Sequence, residues 1–492
     1  MPFTDPVVIL CLFILTLIFM LWLKSGWDST YKNFPPGPNP LPLIGNLHIL
    51  DLKRPSKTLI ELSKKYGSVF SFQMGLKKVI VLTGYQTVVD ALVHNADQFA
   101  ERPVIPIFEI ISNGKGIIFA HDENWKVMRR FTITTLRDFG MGKRTIEDKI
   151  IEESESLIEC FKSHKGDPFD NIMIINAAVS NIIVSITIGH RFQYEDSTFL
   201  RLISLINENM RLAGSPTVML YNLYPVLGFL PGNHKTILQN TKELNAFVKA
   251  TFVEHLKQLD KNDQRSLIDT FLVKQQEEKS NPQSYFHDEN LTKVITNLFT
   301  AGSETTSTTL RWGLLLMMKY PLIQKKVQEE IAKVIGSAQP RTEHQKQMPY
   351  TDAVIHEVQR VANILPMSLP RETTVDVNFK GHVIPKGSYI IPLLESVLHD
   401  KTQFENPEEF YPQHFLDSEG KFLKKEAFMP FSAGRRICLG ETLAKMELFL
   451  FFTSLLQEFT FCPPPGVTHV DLTPQVGFTT CPKPYMICAM QR

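Results

Sequence analysis

The stretch Phe431-Ser-Ala-Gly-Arg-Arg-Ile-Cys438-Leu-Gly440 runs straight into an apolar helical pattern from Glu441 to Glu458, and the rest of the chain is organised around it. The start of a helix carries partial positive charge and unpaired backbone N–H groups. A thiol at Cys438 is therefore expected to ionise easily and to serve as a metal ligand. Gly434 and Gly440 let the backbone approach a flat group closely, and Phe431 can pack beside that group. Arg436, two residues before the cysteine, can pair with an acidic substituent on it.

The loop reads as a haem cradle. Its pattern, Phe-x-x-Gly-x-Arg-x-Cys-x-Gly, resembles the ligand loop of the cytochromes P-450, the haem-thiolate monooxygenases. A lone cysteine is more often an inert core residue than a ligand, but four further fixed positions reverse that balance, and the resemblance spans nearly the whole chain. It implies haem b (iron protoporphyrin IX) held by Cys438, with Phe431 and Gly440 against the cofactor. It also implies a mainly α fold with small β-sheets (α+β), a single P-450-type haem domain behind an N-terminal transmembrane helix. Residues 1–33 then form the membrane anchor and linker, and residues 34–492 the monooxygenase domain.

A length of 492 residues would suggest about three domains on size alone, yet no linker supports a division. The formal net charge of +1 argues against nucleic acid as a partner. Six cysteines without a C-x-x-C pair point to free thiols in a reducing compartment. Val7 to Leu23 is apolar apart from Thr16, and as a helix it would be about 26 Å long, close to the ~27 Å of an endoplasmic reticulum bilayer. Asp5 before this run and Trp22, Leu23 and Lys24 at its end do not match a cleaved signal peptide. Lys24 and Lys32 follow the span, so the positive-inside rule puts the bulk of the chain in the cytosol. The expected location is the endoplasmic reticulum membrane, through a single-pass anchor. Phe34-Pro35-Pro36-Gly37-Pro38 follows as a stiff connector, similar to the proline hinge of anchored family members.

Residues 55 to 66 read as a short helix ending at Gly67, and Val69 to Phe72 and Val79 to Leu82 alternate as a strand pair. Helical periodicity then dominates through about 123 to 138, 145 to 163, 171 to 190, 197 to 213, 234 to 260 and 264 to 278. The longest pattern runs from His287 to Met318, with Asp288 as its expected N-cap. Within it Ala301-Gly302-Ser303-Glu304-Thr305-Thr306 interrupts the apolar stripe, and Gly302 beside hydroxyls predicts a local widening. Strand signals return at 375 to 391, and prolines and glycines crowd Pro463 to Pro484.

Spacing places Trp125 and Arg129 on one helical face, which by itself suits a core tryptophan and a solvated arginine. The resemblance assigns both to a haem propionate, together with Arg436 and Arg371. It assigns proton delivery during oxygen activation to Thr305 and Glu304. Glu357-Val-Gln-Arg360 matches the family's buried Glu-x-x-Arg pair, with His414 of Pro412-Gln-His-Phe415 as the third partner where many members have arginine. Phe108, Phe299, Ala301, Leu365, Leu369 and Phe478 are the expected walls of the substrate pocket. Thr217 to Leu230 would make an exposed apolar patch suited to dipping into a lipid membrane.

The implied activity is insertion of one atom of dioxygen into a lipophilic substrate by hydroxylation or epoxidation, the other atom leaving as water. No nucleotide-binding fingerprint precedes a helix, so electrons must come from another protein. The resemblance names an NADPH-dependent flavoprotein reductase, with cytochrome b5 as an accessory donor. Arg129, Arg130, Lys143, Arg144 and Arg435 form the expected docking face. A haem-thiolate isomerase and a haem sensor are the rival readings, the first disfavoured by the Glu304–Thr305 pair. Overall similarity points to the vertebrate family 2 microsomal branch, towards a fish laurate-hydroxylating subgroup. Fatty acids, steroids and xenobiotics are the implied substrates, and the pocket residues carry no code for a particular one.

Overall fold

A computed structural model describes residues 32–475 and 477–492, together with Phe13 and Thr16. The expected span from Val7 to Leu23 thus lies almost wholly outside the described residues. Among the described residues no helix is long and apolar enough to cross a membrane.

Helix α1 (Pro55–Tyr66) starts on proline, whose missing N–H costs nothing in a first turn, and stops at Gly67, whose φ of 92° suits glycine. Strands β1 (Val69–Met74) and β2 (Lys77–Leu82) form the expected strand pair, and it is antiparallel, Val69 opposite Leu82 and Met74 opposite Lys77. Strands β3 (Arg371–Glu372) and β4 (Tyr389–Pro392) complete a four-stranded sheet in the order β1-β2-β4-β3. The parallel pairing of β2 with β4 joins segments some three hundred residues apart, which no local pattern announces. It carries Arg371 to the edge of the central cavity.

The helical body comprises α2 (Asp122–Asp138), α3 (Arg144–Ser163), α4 (Ile172–Thr187), α5 (Ser197–Ala213), α6 (Asn233–Lys257), α7 (Leu267–Glu277) and α8 (Asp288–Lys319). Their limits lie within about three residues of the periodic pattern. Helices α9 (Pro321–Val334) and α10 (Pro349–Ala362) were not singled out by it; each opens on proline. The last helix, α11 (Glu441–Glu458), buries Leu448 to Leu456 without a break, so it runs through the interior rather than along the surface. Its core is shared with α3, α4 and α8.

Two local expectations for α8 are corrected. Its N-cap is His287, whose ring nitrogen accepts from the Asn290 N–H at 3.3 Å, and Asp288 lies inside the first turn. No widening occurs at Gly302 either: the segment is α-helical throughout. A Cβ there would stand 2.5 Å from Ile183 Cδ1, so glycine serves the close crossing of α4 over α8.

Candidate active site

The cavity lies between α8, α11 and the loop before α11, and it brings Cys438, Phe431, Gly440, Trp125, Arg129, Arg371, Arg436, Ala301, Thr305, Leu365 and Leu369 to one wall system. The cysteine loop folds back on itself, Cys438 N–H donating to Phe431 O at 3.1 Å around a 3₁₀ turn at Gly434–Arg436. Gly434 has a φ of 75°, and a Cβ on it would fall 1.7 Å from Leu92 O. That glycine is demanded by packing against the protein rather than by the cavity. Cys438 is exposed only in the sense that it faces this internal space; protein surrounds it. Burial pushes its thiol up, and the backbone N–H groups of Gly440 and Glu441 and the Arg129 charge act in the opposite sense. The helix start thus contributes as expected, but desolvation outweighs it in the free protein.

Four guanidinium groups crowd one end. Arg436 lies over Trp125, its Cζ 3.7 Å from the ring centre, and donates to the carbonyls of Ala100 (2.8 Å) and Ala120 (2.9 Å). It also reaches Glu101 Oε1 at 3.2 Å. Arg129 donates to Ile437 O at 2.6 Å. Arg371 is 1 % exposed and gives one N–H to Ser432 Oγ at 3.2 Å. Arg102, which the sequence reading missed, lines the same end and donates to Ile118 O, Leu369 O and Pro370 O. Burial first, then the charges of Arg436 and Arg129, hold Arg371 down at about 9. Burial likewise draws Arg436 down to about 10, Glu101 opposing and Arg129 adding to it. Among the described residues Arg371 Nε and Arg436 Nη1 have no hydrogen-bond partner. Buried donors left unmade in a cationic pocket call for an anionic group.

On the opposite wall Thr305 Oγ1 donates to Ala301 O at 2.8 Å, which leaves its lone pairs free toward the cavity. Glu304, 6 % exposed, is not on that wall: its Oε1 accepts from Thr308 (3.2 Å), Thr479 (2.9 Å) and Cys481 (3.3 Å). Burial raises this carboxyl, against those three donors and Arg311.

A family model described as Cytochrome P450 matches residues 35–489. Cytochrome P450 2K4 of Oncorhynchus mykiss is 52% identical over 97% of this chain and 96% of its own length. The chain belongs to the cytochrome P450 family. Cytochrome P450 2K6 of Danio rerio is 50% identical over 92% of this chain and 90% of its own. Cytochrome P450 2C14 of Oryctolagus cuniculus is 46% identical over 98% and 99%. The likeness is to the family 2 branch, and the protein is accordingly a haem-dependent monooxygenase.

The residues present fit that cofactor. In this cytochrome P450 the two unpartnered guanidinium nitrogens and the mutual repulsion of the arginines are what haem's two propionates would relieve, and Cys438 offers a sulfur donor in the same cavity. Of the expected pocket residues, Ala301, Leu365 and Leu369 line the cavity. Phe108, Phe299 and Phe478 do not: Phe108 stacks on Phe119 and meets Phe478 edge-on at 5.5 Å, and Phe299 is buried. Ile117, Ile118, Ile183 and Ile186 supply the wall instead. A second missed residue is Glu447 of α11, a cavity-lining carboxyl that burial pushes up to about 8, with Thr306 opposing and Oε1 unpartnered among the described residues. The helix periodicity marked its position as core and so hid it.

Glu357 and Arg360 of α10 are both fully buried and paired through two bonds of 2.7 Å. The remaining Arg360 donors go to the carbonyls of Leu398, Pro407 and Glu409, and Glu357 also accepts from His414 Nδ1 (3.2 Å) and Tyr411 N (2.8 Å). His414 Nε2 meets Glu405 O. The residues thus come together as a closed network tying α10 to the chain from Leu398 to His414.

Proposed function

We propose that this cytochrome P450 hydroxylates or epoxidises lipophilic substrates such as fatty acids, steroids and xenobiotics, drawing electrons from an NADPH-dependent flavoprotein reductase. Cytochrome b5 is the accessory donor. The observation that carries the reading is one apolar cavity holding the Cys438 sulfur, an arginine set with two buried nitrogens unpartnered among the described residues, and the Thr305 hydroxyl. Haem, when bound, supplies dioxygen activation, and its thiolate ligand favours O–O cleavage. Trp125, Arg129, Arg371 and Arg436 orient it through its propionates, and the isoleucine and leucine wall excludes water and receives the substrate's hydrocarbon. Phe431 and Gly440 shape the proximal loop. Thr305 holds a water at the cavity face of α8, and Glu304 resupplies its protons from the helix flank.

Thr305→Ala tests this. It removes the hydroxyl and leaves the cysteine, the arginines and most of the pocket in place. Substrate binding should change little and NADPH consumption should persist, while product per NADPH falls about tenfold or more and hydrogen peroxide rises. Undiminished product per NADPH would mean that protons arrive by another route.

The location we infer is the endoplasmic reticulum membrane, with the catalytic domain on the cytosolic side. Val226 (79 %) and Phe229 (74 %) stand out from the surface beside Leu220 and Leu230, as the apolar pattern of 217–230 suggested. The Tyr224 hydroxyl donates to Leu43 O, which places this patch next to exposed Leu41 and Ile44, just after the proline connector. A form lacking residues 1–24 should still bind lipid vesicles, and V226D with F229D should weaken that binding by more than about tenfold, since each apolar side chain contributes roughly 1.5–3 kcal/mol on burial. Equal vesicle binding by both forms would remove the second membrane contact. Of the proposed docking face for the reductase, Arg129 turns inward to the cavity, while Arg130, Lys143, Arg144 and Arg435 are exposed, Arg435 in a surface pair with Asp97.

A further inference from the structure

The carboxyl of Glu304 leaves the cavity wall built by Ala301, Gly302 and Thr305 and points to the carboxyl-terminal segment. Three donors converge on its Oε1 alone. Thr308 lies one turn along the same helix, but Thr479 and Cys481 are 175 and 177 residues away in sequence. The segment that brings them is pinned at three points. Phe478 N–H donates to Met210 O at 2.8 Å, Thr480 N–H to Ile364 O at 2.8 Å, and Trp312 Nε1 to Thr480 O at 2.9 Å. Thr479 is 1 % exposed, so its hydroxyl has little water to turn to. The backbone bonds of this segment, rather than Glu304 itself, thus hold Thr479 and Cys481 where they meet the carboxyl, which is the condition for a preorganised site.

Two opposed effects meet on this carboxyl. Burial disfavours its charge, whereas Thr479, Cys481, Thr308 and the Arg311 guanidinium favour it. Arg311, on α8, is the charged group among those that face it; Cys481 is neutral near pH 7, its thiol pushed up to about 11 chiefly by burial. A group that passes protons works best when such effects nearly cancel at the working pH. Without the carboxyl-terminal segment, α8 alone would offer the carboxyl a single hydroxyl donor.

We propose that Thr479 and Cys481 are positioning residues for proton delivery: they hold the Glu304 carboxyl at the flank of α8 and set how readily it releases a proton towards the Thr305 side. The proposal rests on the reading of Glu304 as the proton source. Each cycle of the carboxyl is balanced, since the proton it passes to the Thr305 water is replaced by one from solvent.

The test uses the full-length haem-loaded enzyme with its reductase, as wild type, Thr479→Val, Cys481→Ala, the double variant, Thr479→Ser and Glu304→Gln. Two quantities are followed from mildly acid to mildly alkaline pH. One is product per NADPH; the other, read without turnover, is the infrared band of the protonated Glu304 carboxyl, identified by its loss in Glu304→Gln. Removing two donors to the charged form should move both midpoints of the double variant to higher pH by about one unit, and Thr479→Ser should stay near wild type. Should Thr479→Val fail to retain haem, Cys481→Ala carries the test, with an expected displacement of about half a pH unit. An unmoved carboxyl midpoint in these variants, with coupling lost in Glu304→Gln, overturns the role of the segment. Undiminished coupling in Glu304→Gln overturns the underlying reading of Glu304 instead.

Discussion

Cys438→Ala is expected to abolish monooxygenase activity, by on the order of a thousandfold or more, because it removes a group on which every later step depends. The sulfur is the thiol on the cavity wall beside Arg129, and its backbone N–H is already tied to Phe431 O, so loss of the side chain should leave the loop folded. The apolar wall and the arginine set remain, so some haem should still be retained. The discriminating measurement is therefore spectroscopic. Wild type in its reduced carbon monoxide complex should show the red-shifted Soret band of thiolate ligation, Cys438→Ala should lack it, and Cys462→Ala should keep it. Cys462, a free thiol, lies in a carboxyl-terminal strand opposite Cys488 on the neighbouring strand and away from the cavity lining. Retention of the band in Cys438→Ala would falsify the assignment.

Arg360→Leu should cost about 3–5 kcal/mol, the range seen when one partner of a buried ion pair is removed. Here the loss strands more than a charge. Glu357 keeps only His414 and Tyr411 N, and three carbonyls, of Leu398, Pro407 and Glu409, lose their donor, the first two in a buried setting. Against a total stability of roughly 5–15 kcal/mol, that is enough to deplete the folded enzyme at growth temperature. The yield of spectrally intact protein and its Tm report this directly. His414→Gln, which leaves the Glu357–Arg360 bonds in place, should cost only about 1–3 kcal/mol. A Tm for Arg360→Leu within a degree or two of wild type would show the network to be dispensable.

These two sites differ in how they can be read from the chain. The cysteine loop is local: Phe431, Arg436, Cys438 and Gly440 are close in sequence, and turn and helix-start chemistry suffices to present them together. Helix limits such as Pro55–Tyr66 and Ser197–Ala213 followed from periodicity for the same reason, since an apolar stripe must face a core whatever that core contains. Even here the local reading of Cys438 was incomplete. A helix start favours the thiolate, but burial, which depends on everything packed around the loop, outweighs it.

What the chain alone determined was thus the ligand loop, the mainly helical build and the residue types available to hold an anionic, flat cofactor. Tertiary structure decided which of them meet. Arg371 reaches the cavity because β4 pairs with β2 from far along the sequence, and Arg102 joins it through carbonyls of residues 369 and 370. The crossing of α4 over α8 gives Gly302 its purpose, and the carboxyl-terminal segment gives Glu304 its partners Thr479 and Cys481, off the wall that Thr305 occupies. Phe108 and Phe478 pack on each other rather than line the cavity. Periodicity specifies that a face is buried but not against what. Partner, orientation and charge state follow only from contacts between segments that the sequence keeps far apart.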